Sequence, residues 1–243
     1  MSARRRSLRW MGCGLALVAL AGCGGGEPEA PVDPARARLD AEVAEVDRAL
    51  EQQPGSPLLL FQRGLTYERY GVLDSAAAAY SRAVAAHQAF PQAYYQLGQV
   101  QYQLGRVPEA IASYRQAVRF APDYAEAYNN LGFLYKRAGD LDGAEAAYLE
   151  ALRCDSTFAQ ARNNLGQLYK DRQQWDRAIA CYRQALATAP EMEEAYLNLA
   201  MAYQQMGRPD DERAALEEMA SRFPGTRRGA YAAARLADLK VLQ

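Results

Sequence analysis

A primary amide side chain recurs at a constant interval of 34 residues along most of the chain. The five amides are Gln62, Gln96, Asn130, Asn164 and Asn198. A primary amide carries two N–H donors and a carbonyl acceptor, so it can bond to both the N–H and the C=O of an extended peptide, whatever the peptide's side chains are. The series predicts a surface that holds peptide backbone. Local contacts within the protein are the alternative interpretation, and the sequence leaves both open.

The chain lacks the residues that catalysis or metal binding would need. The chain has one histidine, His87, and it has no glycine-rich phosphate loop and no pair of histidines with metal-ligand spacing. One histidine cannot serve both a Ser/His/Asp set and a metal site. We therefore predict no catalytic residue, no metal site, no cofactor and no enzymatic activity. His87 is interpreted as a solvated turn residue, and acidic residues such as Glu145 as part of a solvated face.

The first residues have the layout of an export signal. Residues 1–9 are strongly basic, residues 11–21 form an apolar run, and small residues follow. An apolar run of this length makes about 16 Å of helix, whereas the hydrocarbon core of a bilayer is about 30 Å thick. The run is therefore too short to be a transmembrane anchor.

The apolar run ends in Leu20-Ala21-Gly22-Cys23. This resembles the lipobox of bacterial lipoproteins, in which the cysteine becomes the acylated first residue of the mature protein. The resemblance implies a signal peptide at residues 1–22 and acyl chains such as palmitate on Cys23. Because Gly24 follows, it also implies an outer-membrane lipoprotein that faces the periplasm. Residues 23–34 are predicted to be a disordered tether. Ordinary signal-peptidase cleavage beside a coincidental cysteine is the alternative.

The charge balance argues against nucleic acid as a partner. From Cys23 onward the chain carries 24 basic and 29 acidic residues, a formal charge of −5. A surface with this balance has no electrostatic attraction for phosphate backbones. Half of the residues are apolar, which is enough to bury a continuous core.

Two short motifs share the period of the amides. The first is Tyr128-x₂-Leu131-Gly132-x₂-Tyr135, with related copies that begin at positions 60, 94, 162 and 196. The second is Ala-x₃-Tyr-x₂-Ala, as in Ala144-x₃-Tyr148-x₂-Ala151, and it follows the first at a fixed distance. Glycine at the center of the first motif would let two helices approach closely, and the tyrosine of the second would fill the space beside it. The pattern predicts paired helices that stack to bury their apolar faces.

These motifs resemble the tetratricopeptide repeat, whose signature is Trp-x₂-Leu-Gly-x₂-Tyr followed by Ala-x₃-Phe and Pro. The resemblance implies an all-α fold, a right-handed superhelical solenoid of antiparallel helix pairs. We expect an N-terminal half-repeat helix at 35–56 and a C-terminal capping helix at 227–243. The five repeats between them are 57–90, 91–124, 125–158, 159–192 and 193–226.

Several residues depart from the repeat pattern. Glu212, Leu216 and Met219 replace Ala, Tyr and Ala in the last repeat, while Gln101 and Arg162 are internal departures that we expect to loosen local packing. Tyr231, Leu236, Leu239 and Leu242 are expected to pack the cap against the last pair. Cys154 and Cys181 would lie about 10 Å apart along their helices, beyond the reach of a disulfide, and are predicted to be free thiols that fill small spaces in the core.

The resemblance also implies a binding surface. In this family the first helix of each pair lines a concave groove, and the residue at the position of the amides points into it. Beside the amides we expect aromatic residues at one end and basic residues in the middle, although some of the aromatic side chains could complete helix packing instead. The aromatic residues include Tyr95, Tyr102 and Phe133, and the basic residues are Lys136, Arg137 and Lys170. The expected partner is a protein, bound as an extended peptide segment or a helix with apolar and acidic residues.

The predicted function is that of a lipid-anchored scaffold or assembly factor in the bacterial envelope. Lipoproteins of this layout resemble pilotins, which help the secretins of type IV pili to assemble. A peptidoglycan-associated adaptor that recruits or regulates cell-wall enzymes is the alternative. Binding to purified cell-wall sacculi would distinguish the two.

Overall fold

The computed structural model describes residues 33–241, so the predicted signal peptide, Cys23, most of the tether and Leu242 lie outside the described residues. Within this range the chain is built of α-helices without a strand, which confirms the all-α prediction. The helices are α1 Pro34–Gln52, α2 Pro57–Arg69, α3 Leu73–Ala86, α4 Pro91–Gln103, α5 Val107–Phe120, α6 Ala125–Arg137, α7 Leu141–Cys154, α8 Ala159–Asp171, α9 Trp175–Thr188, α10 Glu193–Gln205, α11 Pro209–Arg222 and α12 Arg227–Val241. None of these helices is both long and apolar enough to cross a membrane.

The helices pack in the order in which they follow one another. The closest associations join α2 to α3, α4 to α5, α6 to α7, α8 to α9 and α10 to α11, and each pair then packs on the next. The tetratricopeptide-like solenoid is therefore confirmed. Its first helices are α2, α4, α6, α8 and α10, and the second helices are α3, α5, α7, α9 and α11.

Local residue choice sets where the helices begin and end. Proline is the first residue of α1, α2, α4 and α11, where its fixed φ suits a helix and its missing N–H costs nothing. Glycine follows four of the five first helices in the left-handed conformation, at φ of 64° to 83°. After α8 the same position is Gln173 at φ 57°. A side chain in this conformation costs about 1–2 kcal/mol, so the turn of the fourth repeat is strained.

Within each of the first four pairs, a glycine faces the ring of a buried tyrosine. A Cβ atom on Gly132 would lie 2.7 Å from the ring of Tyr148, and one on Gly166 would lie 2.6 Å from the ring of Tyr182. Real Cβ atoms do not come so close to another atom, so the predicted close approach of the two helices is confirmed. In the fifth pair Ala200 takes the place of the glycine and Leu216 that of the tyrosine, and both are buried.

Two of the departures from the repeat pattern make specific contacts. Gln101 stands where a tyrosine is usual, and its Oε1 accepts a hydrogen bond of 2.6 Å from the buried hydroxyl of Ser113. Arg162 donates to the side chain of Gln184 and to the carbonyl of Ser156. Both residues therefore form polar contacts of their own, and the expectation that they loosen local packing stays a prediction.

Glu145 is not a solvated surface residue as we expected. Its side chain is 18% exposed and links two repeats, since it accepts a hydrogen bond of 2.8 Å from Tyr169 and pairs with Arg172 and Arg177. Burial alone would raise the pKa of this carboxyl, but hydrogen bonds from Tyr169 and Arg177, with the charges of Arg177 and Arg172, hold the pKa below its ordinary value. The charge of Glu145 thus joins α7 to α8 and α9.

The cysteines and the histidine differ in how well they match expectation. His87 is exposed at the end of α3, as predicted. Cys181 is buried in the core, and burial raises the pKa of its thiol to about 11, which leaves it protonated and unreactive at neutral pH. Cys154 is only partly buried at the end of α7, with its Sγ 3.4 Å from the carbonyl oxygen of Pro122, so it is not a core filler.

The cap helix α12 starts 34 residues after α10 and so occupies the place of a further first helix. Ala232 and Leu239 of α12 are buried in the core that this helix shares with the last pair, whereas Tyr231 is 50% exposed, which corrects the expectation that this tyrosine covers the last pair. An ion pair between Glu212 and Arg235 joins the cap helix to the last repeat instead. Arg235 on α12 pairs at 2.9 Å with the buried carboxylate of Glu212 on α11.

Candidate functional site

The first helices of four consecutive repeats line one cavity of about 660 Å³. Most of its wall belongs to α6 and α8, with α4 at one end and α10 at the other. Two buried tyrosines of the second helices, Tyr114 and Tyr148, also contribute. Burial raises the pKa of both phenols, so they stay neutral near pH 7. We refer to this space as the groove cavity.

Three of the predicted amides form a ladder of hydrogen bonds between repeats. Each donates to the residue 35 positions earlier, on the first helix of the preceding repeat. The three bonds are Asn130 Nδ2 to Tyr95 Oη at 3.5 Å, Asn164 Nδ2 to Asn129 Oδ1 at 2.9 Å, and Asn198 Nδ2 to Asn163 Oδ1 at 3.2 Å. The amides therefore help to set the stacking of the repeats, as the interpretation by local contacts expected.

Asn130 and Asn164 line the groove cavity and keep part of their hydrogen-bonding capacity. The Nδ2 of Asn130 is 3.3 Å from the hydroxyl of Tyr114 in addition to Tyr95, and both distances are long for a hydrogen bond. Asn164 uses one N–H for Asn129, and its Oδ1 accepts a bond of 3.1 Å from Gln160. One N–H and one lone pair of Asn164 thus remain for another molecule.

The other three amides lie elsewhere, so the predicted series does not form one continuous binding surface. Asn198 is 7% exposed, and its side chain is hydrogen-bonded to Asn163. Gln62 is exposed and lines a separate, smaller cavity between α1 and α2. Gln96 is partly buried and is not part of the wall of the groove cavity. Equal spacing placed all five on equivalent helix positions, but the neighbors at each position decide which amide meets solvent.

The aromatic residues split between packing and the groove cavity. Tyr95 packs against Tyr124 with ring centroids 4.9 Å apart and against Tyr114 at 5.7 Å, so it completes helix packing. Phe133 is 38% exposed and lines the groove cavity. Its ring meets the ring of Tyr102 edge-on, with centroids 5.7 Å apart. Phe133 and Tyr102 therefore form an accessible aromatic wall.

The basic residues also differ from one another. Lys136 and Arg137 line the groove cavity, whereas Lys170 is partly buried one repeat further along and is not part of its wall. Lys136 pairs with Asp171 at 2.9 Å. Arg137 donates to the hydroxyl of Tyr102 at 2.5 Å.

Several residues of the groove cavity were not singled out from the sequence. They are Gln99, Gln103, Asn129, Leu134, Gln160, Gln167 and Glu194. Gln160 precedes Asn164 by four positions and Gln167 follows it by three, so all three share one helix face. This helical spacing from Asn164 is the sequence feature that could have predicted Gln160 and Gln167 as cavity residues. Across the described residues 33–241, no group of His, Cys, Asp or Glu is arranged to hold a metal ion.

Comparison with known families and structures identifies related repeats. Models described as tetratricopeptide repeats match residues 102–139, 125–158, 147–180, 166–207 and 194–226. Together they span 102–226, just over half of the chain. Residues 57–101, outside this range, form the same helix pairs. No curated protein matches the sequence closely.

Solved structures with the same architecture include pilF, YrrB and TTC0263. The Pseudomonas aeruginosa protein pilF aligns with a TM-score of 0.68 at 15% identity over 82% of this chain and 91% of its own. YrrB, described as having an unusual peptide-binding site, aligns with a TM-score of 0.64 at 17% identity over 77% and 96%. TTC0263 of Thermus thermophilus aligns with a TM-score of 0.55 at 25% identity over 76% and 100%. These similarities show a shared fold.

Proposed function

Because the chain belongs to the tetratricopeptide repeat family, we propose that it is a protein-binding scaffold that holds an extended segment of a partner in the groove cavity. The observation that carries this proposal is the unused hydrogen-bonding capacity of Asn164 beside the exposed aromatic wall of Phe133. A cavity of about 660 Å³ is large enough for several residues of a peptide. YrrB, a structural neighbor, is itself described by its peptide-binding site. The protein would act by binding, without catalysis.

The double substitution Asn130→Ala/Asn164→Ala tests this proposal. Each lost hydrogen bond should cost about 1 kcal/mol, so we expect peptide affinity to fall about thirtyfold if the effects add. The probes are peptides selected on the parent protein from a displayed library of random 12-residue sequences. Affinities would be measured by fluorescence anisotropy, with circular dichroism to verify that the helices persist.

Gln62→Ala is the matched control, because Gln62 occupies the same repeat position but lines a different cavity. It should leave the affinity unchanged. If the double variant stays folded and binds the selected peptides as tightly as the parent, the amides serve only the stacking of repeats and the binding surface lies elsewhere.

We further propose that Cys23 is lipidated and holds the scaffold on the outer membrane, facing the periplasm. The support is in the sequence: a basic start, a short apolar run and Leu20-Ala21-Gly22-Cys23 directly after it. Two or three acyl chains at about 0.8 kcal/mol per buried CH₂ would anchor the protein stably.

Cys23→Ala should move the protein from the membrane fraction to the soluble fraction. The measurement is immunoblotting of fractionated cells, with Cys181→Ala as a control that keeps the membrane association. Retention of Cys23→Ala in the membrane fraction would exclude lipidation as the anchor.

Given this anchor, we propose an envelope protein as the partner, with secretin or pilus assembly as the specific process. A groove rich in amides and tyrosines would also suit a peptidoglycan adaptor. Sedimentation with purified sacculi separates the two: the scaffold should stay in the supernatant, and the adaptor would pellet.

A further inference from the structure

One charge in the groove cavity is held in place without a counter-ion among residues 33–241. The guanidinium carbon of Arg137 lies 5.7 Å from the ring center of Tyr102 and 5.8 Å from that of Phe133. Its Nη1 donates to the Tyr102 hydroxyl at 2.5 Å. Tyr102 belongs to α4, whereas Arg137 and Phe133 belong to α6, so two repeats cooperate to orient this side chain.

The neighboring charges show why Arg137 is distinctive. Lys136 is already paired with Asp171 at 2.9 Å. Glu194 stands on α10, at the other end of the groove cavity, where its carboxylate accepts a bond of 2.7 Å from Gln167. Within the described part of the chain, Arg137 forms no ion pair. Where α6 meets α4, the groove cavity therefore presents one positive charge that no carboxylate of residues 33–241 pairs with.

We propose that Arg137, Tyr102 and Phe133 form a subsite that selects partner segments in which an aspartate or glutamate lies next to an apolar residue. This inference rests on the proposed function of the groove cavity. A guanidinium can stack on aromatic rings and still offer its remaining N–H groups to a carboxylate. Because Tyr102 already fixes its orientation, less side-chain entropy is lost on binding. The exposed ring of Phe133 would contact the adjacent apolar side chain.

The test selects peptides from a displayed library of random 12-residue sequences on the parent and on Arg137→Gln. Arg115→Gln is the matched control. Arg115 donates to the hydroxyl of Tyr135 at 2.7 Å, with its guanidinium carbon 5.5 Å from that ring, but it does not line the groove cavity. We expect sequences with Asp or Glu beside an apolar residue to be enriched on the parent and on Arg115→Gln, and this preference to vanish on Arg137→Gln.

A synthetic peptide from the selection then gives the magnitude. Arg137→Gln should bind it about tenfold more weakly than the parent, the size expected for one charge-assisted hydrogen bond. Changing the acidic residue of the peptide to its amide should weaken binding to the parent equally, and should have no further effect on Arg137→Gln. Raised salt should weaken binding to the parent more than binding to Arg137→Gln.

The outcomes separate this inference from the proposed function. Peptides that depend on Asn130 and Asn164 but show no acidic preference would overturn the subsite and leave the scaffold function standing. An equal loss in Arg137→Gln and Arg115→Gln would also overturn the subsite. If no selected peptide binds in the groove cavity, both proposals fail.

Discussion

Replacing Arg235 with alanine is expected to lower the free energy of unfolding by about 3 kcal/mol. Arg235 is the partner of Glu212, whose side chain is only 6% exposed, and the variant would leave that carboxylate buried and unpaired. Breaking one side of a buried pair costs about 3–5 kcal/mol, and the 25% exposure of Arg235 favors the lower end. Urea unfolding followed by circular dichroism gives the value, provided that the transition is two-state.

Two further variants show whether the buried charge is the cause. In the first four repeats the position of Glu212 is a fully buried alanine, at residues 76, 110, 144 and 178. The double variant Glu212→Ala/Arg235→Ala should therefore recover much of the stability. Arg222→Ala removes the partner of Glu218 in an exposed pair and should cost less than about 1 kcal/mol. A double variant as unstable as Arg235→Ala would mean that Arg235 acts through packing instead.

Replacing Gly166 with valine is expected to destabilize the protein by about 3 kcal/mol. The added Cβ would lie 2.6 Å from the ring of Tyr182, which is fully buried, so either the ring or its helix α9 must shift. Overpacking of a filled core costs about 1–3 kcal/mol, and the two methyl groups of valine place this variant at the upper end. Thermal and urea unfolding would both report the loss.

The fifth repeat of the same chain shows a pair of residues that avoids this clash. In the fifth repeat Ala200 and Leu216 occupy the positions of Gly166 and Tyr182. The double variant Gly166→Ala/Tyr182→Leu copies that pair and should be more stable than Gly166→Val. It also removes the Tyr182 hydroxyl, which is buried without a hydrogen-bond partner in the described structure. Unchanged stability of Gly166→Val would show that the helices can separate at little cost.

The amide ladder connects stability to binding. Asn164 joins α8 to Asn129 on α6, and the same side chain lines the groove cavity. A segment that bonds to its free N–H and lone pair would therefore bind to residues that set the spacing of the third and fourth repeats. The proposed binding and the observed repeat stacking would thus share residues, so each binding test needs a control for folding.

Much of the architecture follows from local features of the sequence. The period of 34 residues, Gly132 before Tyr135, and Tyr148 sixteen positions after Gly132 specify a helix pair, because close helix contact requires a small residue opposite a large one. Glycine after four of the first helices and proline at the start of several others indicate where the helices end and begin. These signals act within one repeat, so they can be recognized without the structure.

Contacts between repeats were decided by the tertiary structure. Equal spacing placed Asn130, Asn164 and Asn198 on equivalent positions, yet Asn198 is buried against Asn163 while Asn164 keeps free hydrogen-bonding groups. In the sequence Glu212 is only a departure from the repeat alanine, whereas in the structure it pairs with Arg235. Arg137 and Lys136 are neighboring basic residues in the sequence, but in the structure only Lys136 pairs with Asp171. The physical reason is that the period fixes which helix face a residue occupies. The exposure and charge of that residue depend on side chains brought next to it from other repeats.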